Sequence, residues 1–170
     1  MGTCWRRCLR NVGAGAAIIA SISGLASTSV SASTSSATMG VSATVNASCS
    51  INTTPLAFGT YAASQVRQTT TISVTCTNTT PYNVGLDAGT TSGATVSNRM
   101  MSDGSGHTLN YALYQDSGYS TNWGNTVGTS TETGTGNGTA QSLTVYGQIA
   151  ASQTPVPGSY SDLITATVTY

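Results

Sequence analysis

Apolar and small residues recur along this chain with period two rather than period 3.6. The longest such stretch sets Ala37, Met39, Val41, Ala43, Val45, Ala47, Cys49 and Ile51 on one face. Thr38, Gly40, Ser42, Thr44, Asn46, Ser48 and Ser50 fall on the other. Successive side chains of a strand point to opposite faces, so alternation of this kind predicts a half-buried β-strand. The run is far longer than the five or six residues of a common strand. It therefore reads as two strands in series.

Shorter alternating segments follow. Ile72, Val74 and Cys76 share a face within Thr69–Cys76, and Tyr82, Val84 and Leu86 share another. Leu109, Tyr111 and Leu113 repeat the pattern, as do Leu143, Val145, Gly147 and Ile149. A last strand is predicted from Ser161 to Tyr170, with Ile164, Ala166, Val168 and Tyr170 opposite Thr165, Thr167 and Thr169. Arg99-Met100-Met101 fits a short edge strand. Thr54-Pro55, Thr77 to Pro81, Asp87 to Gly89, Asp103 to Gly106 and Pro155 to Gly158 carry turn chemistry between these segments. Residues 90–98 and 117–140 read as polar loops, the second unusually long. Short strands separated by turns, with no helical spacing, predict an all-β sandwich.

From Cys49 onward the pattern supplies about six strands, whereas an immunoglobulin-type sandwich has seven or more. One side of the sandwich is thus expected to lack a strand, leaving an apolar groove and unpaired backbone edges. A strand from another molecule can fill such a groove. Ala37, Met39, Val41, Ala43 and Val45 have the spacing to point into it. Donor and groove are different surfaces of one molecule, so the contact would propagate rather than close. The plainer reading, in which residues 37–51 are the first strand of an ordinary domain, stays open on the pattern alone.

Composition narrows the function. Only 6% of the 170 residues are charged, and lysine is absent, against about a quarter charged in an average soluble protein. Five arginines cannot neutralise a row of phosphates, which argues against nucleic-acid binding. The N-terminus carries Arg6, Arg7 and Arg10, then an apolar run over residues 14–26, then the small-x-Ala end Val30-Ser31-Ala32. That is the layout of a secretory signal peptide over residues 1–32, with cleavage after Ala32 and Ala26 as the second choice. Cys4 and Cys8 would leave with it. What remains holds Arg67 and Arg99 against Asp87, Asp103, Asp116, Glu132 and Asp162, a mildly acidic balance. The remaining cysteines, Cys49 and Cys76, read as one disulfide in an exported chain.

Catalytic and ligand chemistry finds little support. His107, the single histidine, sits in a Ser-Gly-His-Thr loop with no triad context. Asp87, Asp103, Asp116 and Asp162 each lie near Gly or Ser, where Asp stabilises turns; a loop calcium site is the alternative. The glycines at 134, 136 and 138 lack the following lysine and helix of a phosphate loop. Tyr111, Tyr114, Tyr119, Trp123 and Tyr146 read as packing residues, with a sugar-binding platform as the other possibility. No cofactor and no metal are expected.

Several segments resemble the spore coat protein U domain family, which includes subunits of archaic chaperone–usher pili. Cys49 followed by Phe58-Gly59-Thr60-Tyr61, the strand Ile72 to Cys76, and YNVGLDAG from Tyr82 to Gly89 are similar to its motifs in order. Arg99-Met100-Met101, LNYALYQD from Leu109 to Asp116, Trp123-Gly124, LTVYGQI from Leu143 to Ile149, and PGSYSDLITATVTY from Pro157 to Tyr170 continue the series. The resemblance implies an incomplete immunoglobulin-like sandwich of about six strands lacking the last one, plus an N-terminal donor strand. It places the donor extension at 33–46, with Ala37, Met39, Val41, Ala43 and Val45 as its inward residues, and the domain at 47–170. It places the acceptor-groove edge at Leu163, Ile164, Ala166, Val168 and Tyr170, facing the first strand after the extension. Implied partners are identical or homologous pilin subunits, a periplasmic chaperone and an outer-membrane usher, with no nucleic acid and with a membrane met only during export. The implied activity is structural, not enzymatic. Such a subunit polymerises by donor-strand complementation into a surface pilus serving attachment and biofilm formation, with a coat or surface-layer protein or a glycan-binding tip adhesin as alternatives.

Overall fold

The computed structural model describes residues 30–170, and among these it contains eight β-strands and no helix. The expected signal peptide lies almost wholly outside the described residues. The strands are β1 (Cys49–Thr53), β2 (Val66–Cys76), β3 (Pro81–Leu86), β4 (Arg99–Ser102), β5 (Thr108–Tyr114), β6 (Glu132–Thr135), β7 (Ala140–Ile149) and β8 (Ala166–Thr169). They form a five-stranded sheet in the order β1-β2-β7-β5-β4 and a three-stranded sheet in the order β6-β3-β8. Every pairing is antiparallel.

Register follows the apolar alternation. Ile72 stands opposite Leu143, Ile51 opposite Val74, and Leu113 opposite Gly147, all on the inner face of the five-stranded sheet. Shifting any pair by one residue would turn its apolar set to solvent. The inner face meets Tyr82, Val84 and Leu86 of β3, with Trp123 between, and these residues form one core with Ile72, Val74, Leu109, Tyr111, Leu113, Val145 and Ile149. The fold is an all-β, incomplete immunoglobulin-like sandwich.

Cys49 and Cys76 are joined by a disulfide across 27 residues, and they are also register partners at the end of the β1–β2 ladder. One more backbone bond, from the Thr77 amide to the Ser48 carbonyl at 2.9 Å, follows this pair. Residues 30–48 carry no regular secondary structure, so the long alternation before Cys49 yields a strand only from Cys49 onward.

Two other expectations are corrected. Residues 117–140 are not all loop, since β6 lies within them and pairs with β3. The final strand does not run from Ser161. Ser161 bridges to Ser102 of β4, residues 162–165 are irregular, and β8 begins only at Ala166.

One lateral seam of the sandwich is sealed by Arg99, a residue the alternation marked only as part of an edge strand. Its guanidinium is fully buried and donates to four backbone carbonyls. These belong to Asp87 (2.8 Å), Val96 (2.7 Å), Leu86 (3.1 Å) and Trp123 (2.7 Å). Trp123 in turn donates from Nε1 to the Val84 carbonyl at 2.9 Å. Burial lowers the Arg99 pKa from its usual value, and the nearby Tyr111, Asp87 and Asp162 oppose that shift.

Candidate functional site: an open apolar groove

The other seam is open. A groove of about 1140 Å³ runs between the segment Thr53–Ala63 and the segment Gln153–Ile164, which continues to Ala166. Its floor is the inner face of the five-stranded sheet at Ile72, Leu109, Tyr111, Leu113, Val145 and Ile149. Common small-molecule clefts hold roughly 300–1000 Å³, and this one is larger and lined mainly by apolar side chains.

Local sequence explains the walls. In the first, Leu56 and Phe58 lie over Gly147 of β7, where a Cβ would overlap Leu56 and approach the Phe58 ring to 2.9 Å. Phe58 packs edge-on against Tyr111 at 5.9 Å. The Tyr61 hydroxyl donates to the Ala150 carbonyl and accepts from the Gln153 amide, both at 2.9 Å, so it ties the two walls together at one end.

In the second wall, carboxylates take amides between the backbone pairings at Ser161 and Thr165. Asp87 Oδ1 accepts from the amides of Gly89 and Thr165, each at 3.0 Å. The Tyr111 hydroxyl donates to Asp162 Oδ2 at 2.8 Å. Burial first, and then that bond, push the Tyr111 pKa far up. Beyond this wall, β8 pairs with β3 on one side only, and β1 pairs with β2 on one side only. Each thus leaves a backbone edge unpaired.

Of the residues expected at the groove edge, Leu163, Ile164 and Ala166 line the groove. Val168 is half-buried against the core, and Tyr170 lies past β8 and is exposed. Of the expected donor residues, Met39 and Val41 are each 84% exposed and Val45 is 87% exposed, while Ala37 and Ala43 are exposed too. Leu56, Phe58 and Asp162 went unrecognised as groove residues. The turn-like Thr54-Pro55 break hid the first two, and Asp162 looked like any loop aspartate.

The remaining candidates separate. Tyr111 and Trp123 belong to the core, whereas Tyr114, Tyr119 and Tyr146 form an edge-to-face cluster elsewhere, with Arg67 4.0 Å over the Tyr119 ring. The five rings therefore make no single platform. His107 Nδ1 is 2.6 Å from Asp103 Oδ2 within the β4–β5 turn. All four aspartates accept backbone amides, as turn-stabilising residues do.

Residues 35–167 match the family model described as Spore Coat Protein U domain. No curated protein matches the chain. Among solved structures, the chain is similar to one in the crystal structure of the CsuC–CsuE chaperone–tip adhesion subunit pre-assembly complex from archaic chaperone–usher Csu pili of Acinetobacter baumannii. That similarity has a TM-score of 0.56 at 24% identity and covers 75% of this chain but only 40% of that one.

Proposed function

The chain belongs to the spore coat protein U domain family, and on that premise we propose that it is a structural pilus subunit whose groove accepts a strand from a neighbour. The observation that carries this reading is the apolar groove between residues 53–63 and 153–164, which reaches Thr53 of β1 and Ala166 of β8, two strands that each lack a partner on one side. Unpaired edges over an apolar floor are costly in an isolated molecule. An incoming extended segment supplies both missing parts, main-chain hydrogen bonds along its length and alternate side chains for the floor.

The donor we propose is residues 33–46 of another copy or a homologue, through Ala37, Met39, Val41, Ala43 and Val45. Each of these small to medium side chains contributes about 1–2 kcal/mol on burial, so several together hold the strand. The groove and the donor are different surfaces, so each subunit accepts one strand and offers another, and the assembly grows as a fibre. Before assembly, a periplasmic chaperone lends a strand, and an outer-membrane usher exchanges it for the next subunit's extension. The fibre then serves attachment and biofilm formation at the cell surface.

Deletion of residues 33–46 tests the reading. A preparation of the deleted subunit alone is expected to give no ladder of oligomers on unheated gels, while still accepting a synthetic 33–46 peptide. Ladders that persist would show that another surface drives assembly.

A further inference from the structure

The geometry points to Asp162 as a positioning residue that holds the groove open before a strand arrives. This rests on the strand-acceptor reading above and goes beyond it, because Asp162 is assigned no contact with the incoming strand.

Asp162 joins three elements through one carboxylate. Oδ1 accepts from the Leu163 amide at 2.9 Å, the Thr90 amide at 2.9 Å and the Thr90 hydroxyl at 3.0 Å. Oδ2 accepts from the Tyr111 hydroxyl at 2.8 Å. Thr90 lies in the β3–β4 connection, Tyr111 on the groove floor, and Leu163 on the wall. Three donors converge on Oδ1 and one on Oδ2, so most of the carboxylate's acceptor capacity is taken up by groups of this chain. The neighbouring Gly89 has φ +88°, and a Cβ there would overlap the Asp162 carboxylate, so the backbone beside it is fitted to this side chain.

An apolar wall over an apolar floor tends to collapse, because closure removes apolar surface from water. Leu163 is 74% exposed, and Ile164 beside it lines the same groove. What opposes collapse is the set of polar anchors along the wall. Ser161 exchanges backbone hydrogen bonds with Ser102, Asp162 holds Tyr111 and Thr90, and Thr165 is held by Asp87. Gln153 holds the start of the wall to the Asn110 backbone of β5 through two bonds at 2.9 Å. Asp162 is the anchor beside Leu163 and Ile164 that reaches a floor side chain, Tyr111, so it sets the distance between wall and floor there. Without it, a fraction of molecules closes. Strand capture then slows by that fraction, while release from a filled groove is unchanged.

The test follows the binding of a fluorescent synthetic peptide of residues 33–46 to the unpolymerised full chain, with capture and release rates measured separately. Asp162→Ala is expected to slow capture roughly tenfold, the scale of losing hydrogen bonds to a charged group, with release unchanged. Tyr111→Phe, which removes only the Oδ2 bond and keeps the ring, is expected to slow capture less. Asp162→Asn, which keeps an oxygen for Leu163 and Thr90, is expected to restore most of the rate. Unchanged capture in both Asp162→Ala and Tyr111→Phe overturns the inference. So does release that accelerates in step with a falling thermal midpoint, since general loosening gives that result. A wild-type chain that captures no peptide removes the strand-acceptor reading and this inference with it, whereas failure confined to the variants' predicted pattern removes only the role of Asp162.

Discussion

The two seams of this sandwich are built from the same small, weakly charged repertoire and end in opposite states. At the closed seam Arg99 and Val84 are 0% exposed and Trp123 is 1% exposed, and the guanidinium donates to four carbonyls from β3, its following turn, and two loops. At the open seam Leu56, Phe58, Ile164 and Ala166 are only half-buried. The difference does not lie in hydrophobicity. The closed seam has a side chain with five N–H donors in a fixed fork, which reaches from β4 to carbonyls of β3 and the neighbouring loops. The open seam has aspartates that fix its own wall, and the walls are tied across only at one end, by the Tyr61 hydroxyl. Incompleteness here is local, and the rest of the fold has a fully packed core.

The comparison breaks most visibly at Arg99. Arg99→Leu strands the buried carbonyls it now satisfies, and each buried acceptor left unpaired costs roughly 1–3 kcal/mol, so the total loss is several kcal/mol. The urea midpoint is expected to fall accordingly, whether or not a 33–46 peptide fills the groove. A midpoint within experimental error of wild type would show that the closed seam does not depend on this residue. Arg99→Lys should recover little, since an ammonium cannot reproduce the fork.

The disulfide comes next. Replacing Cys49 and Cys76 by Ala removes a crosslink over 27 residues, worth roughly 3–4 kcal/mol by loop-closure entropy. It also frees the start of β1, the edge strand beside the groove. Periplasmic yield and protease resistance are expected to drop, and unchanged values would rule out a stabilising role.

Ile164→Ala sharpens the contrast between seams. In the empty groove Ile164 is half-buried, so truncation should cost only about 1 kcal/mol of subunit stability. With a strand in place the same side chain is covered on both faces, and the loss approaches the roughly 2–5 kcal/mol of a core truncation. Thermal midpoints with and without the 33–46 peptide read both values. Equal losses would mean that the peptide does not cover Ile164.

Much of this was legible beforehand because alternation is a local signal. The strands carrying Ile72 and Val74, Tyr82 and Val84, Leu109 and Leu113, and Val145 and Ile149 emerge where the apolar period places them. What stayed hidden depends on partners distant in sequence. Strand β6 reads Glu-Thr-Gly-Thr and has no apolar residue, yet it pairs with β3 because Gly134 stands opposite Tyr82 and leaves room for its ring. Residues 162–165 alternate like a strand, but Asp162 takes the Leu163 amide and Asp87 the Thr165 amide, which a partner strand would otherwise receive. Arg99, flanked by Asn98 and Met100, carries no mark of burial at all. Its environment is set by Leu86, Asp87, Val96 and Trp123, which only the folded chain brings together.

The smallest expected effect concerns the aromatic cluster on the outer face, a region that belongs to neither seam. Asp116 holds the loop that returns Tyr119 to the sheet. Its Oδ1 accepts the Thr121 amide at 2.6 Å, and its Oδ2 accepts the Ser120 hydroxyl at 3.0 Å. The Thr121 bond is the main reason its pKa lies below the usual carboxylate value, with Ser120 adding to the shift and desolvation opposing it. A carboxylate depressed in the folded state stabilises fully above its unfolded pKa, near 3.9, and loses that contribution as pH falls through the folded value. The loop should therefore loosen only below about pH 4. Tyr119, at φ 57° and edge-on to Tyr114 and Tyr146, should then lose its ring-current shifts in NMR spectra while the core resonances stay put. Asp116→Asn removes the titrating group, so its Tyr119 signals should not follow that acid transition. The same acid profile in wild type and Asp116→Asn would assign the change to another group, and the closed seam should be indifferent in both.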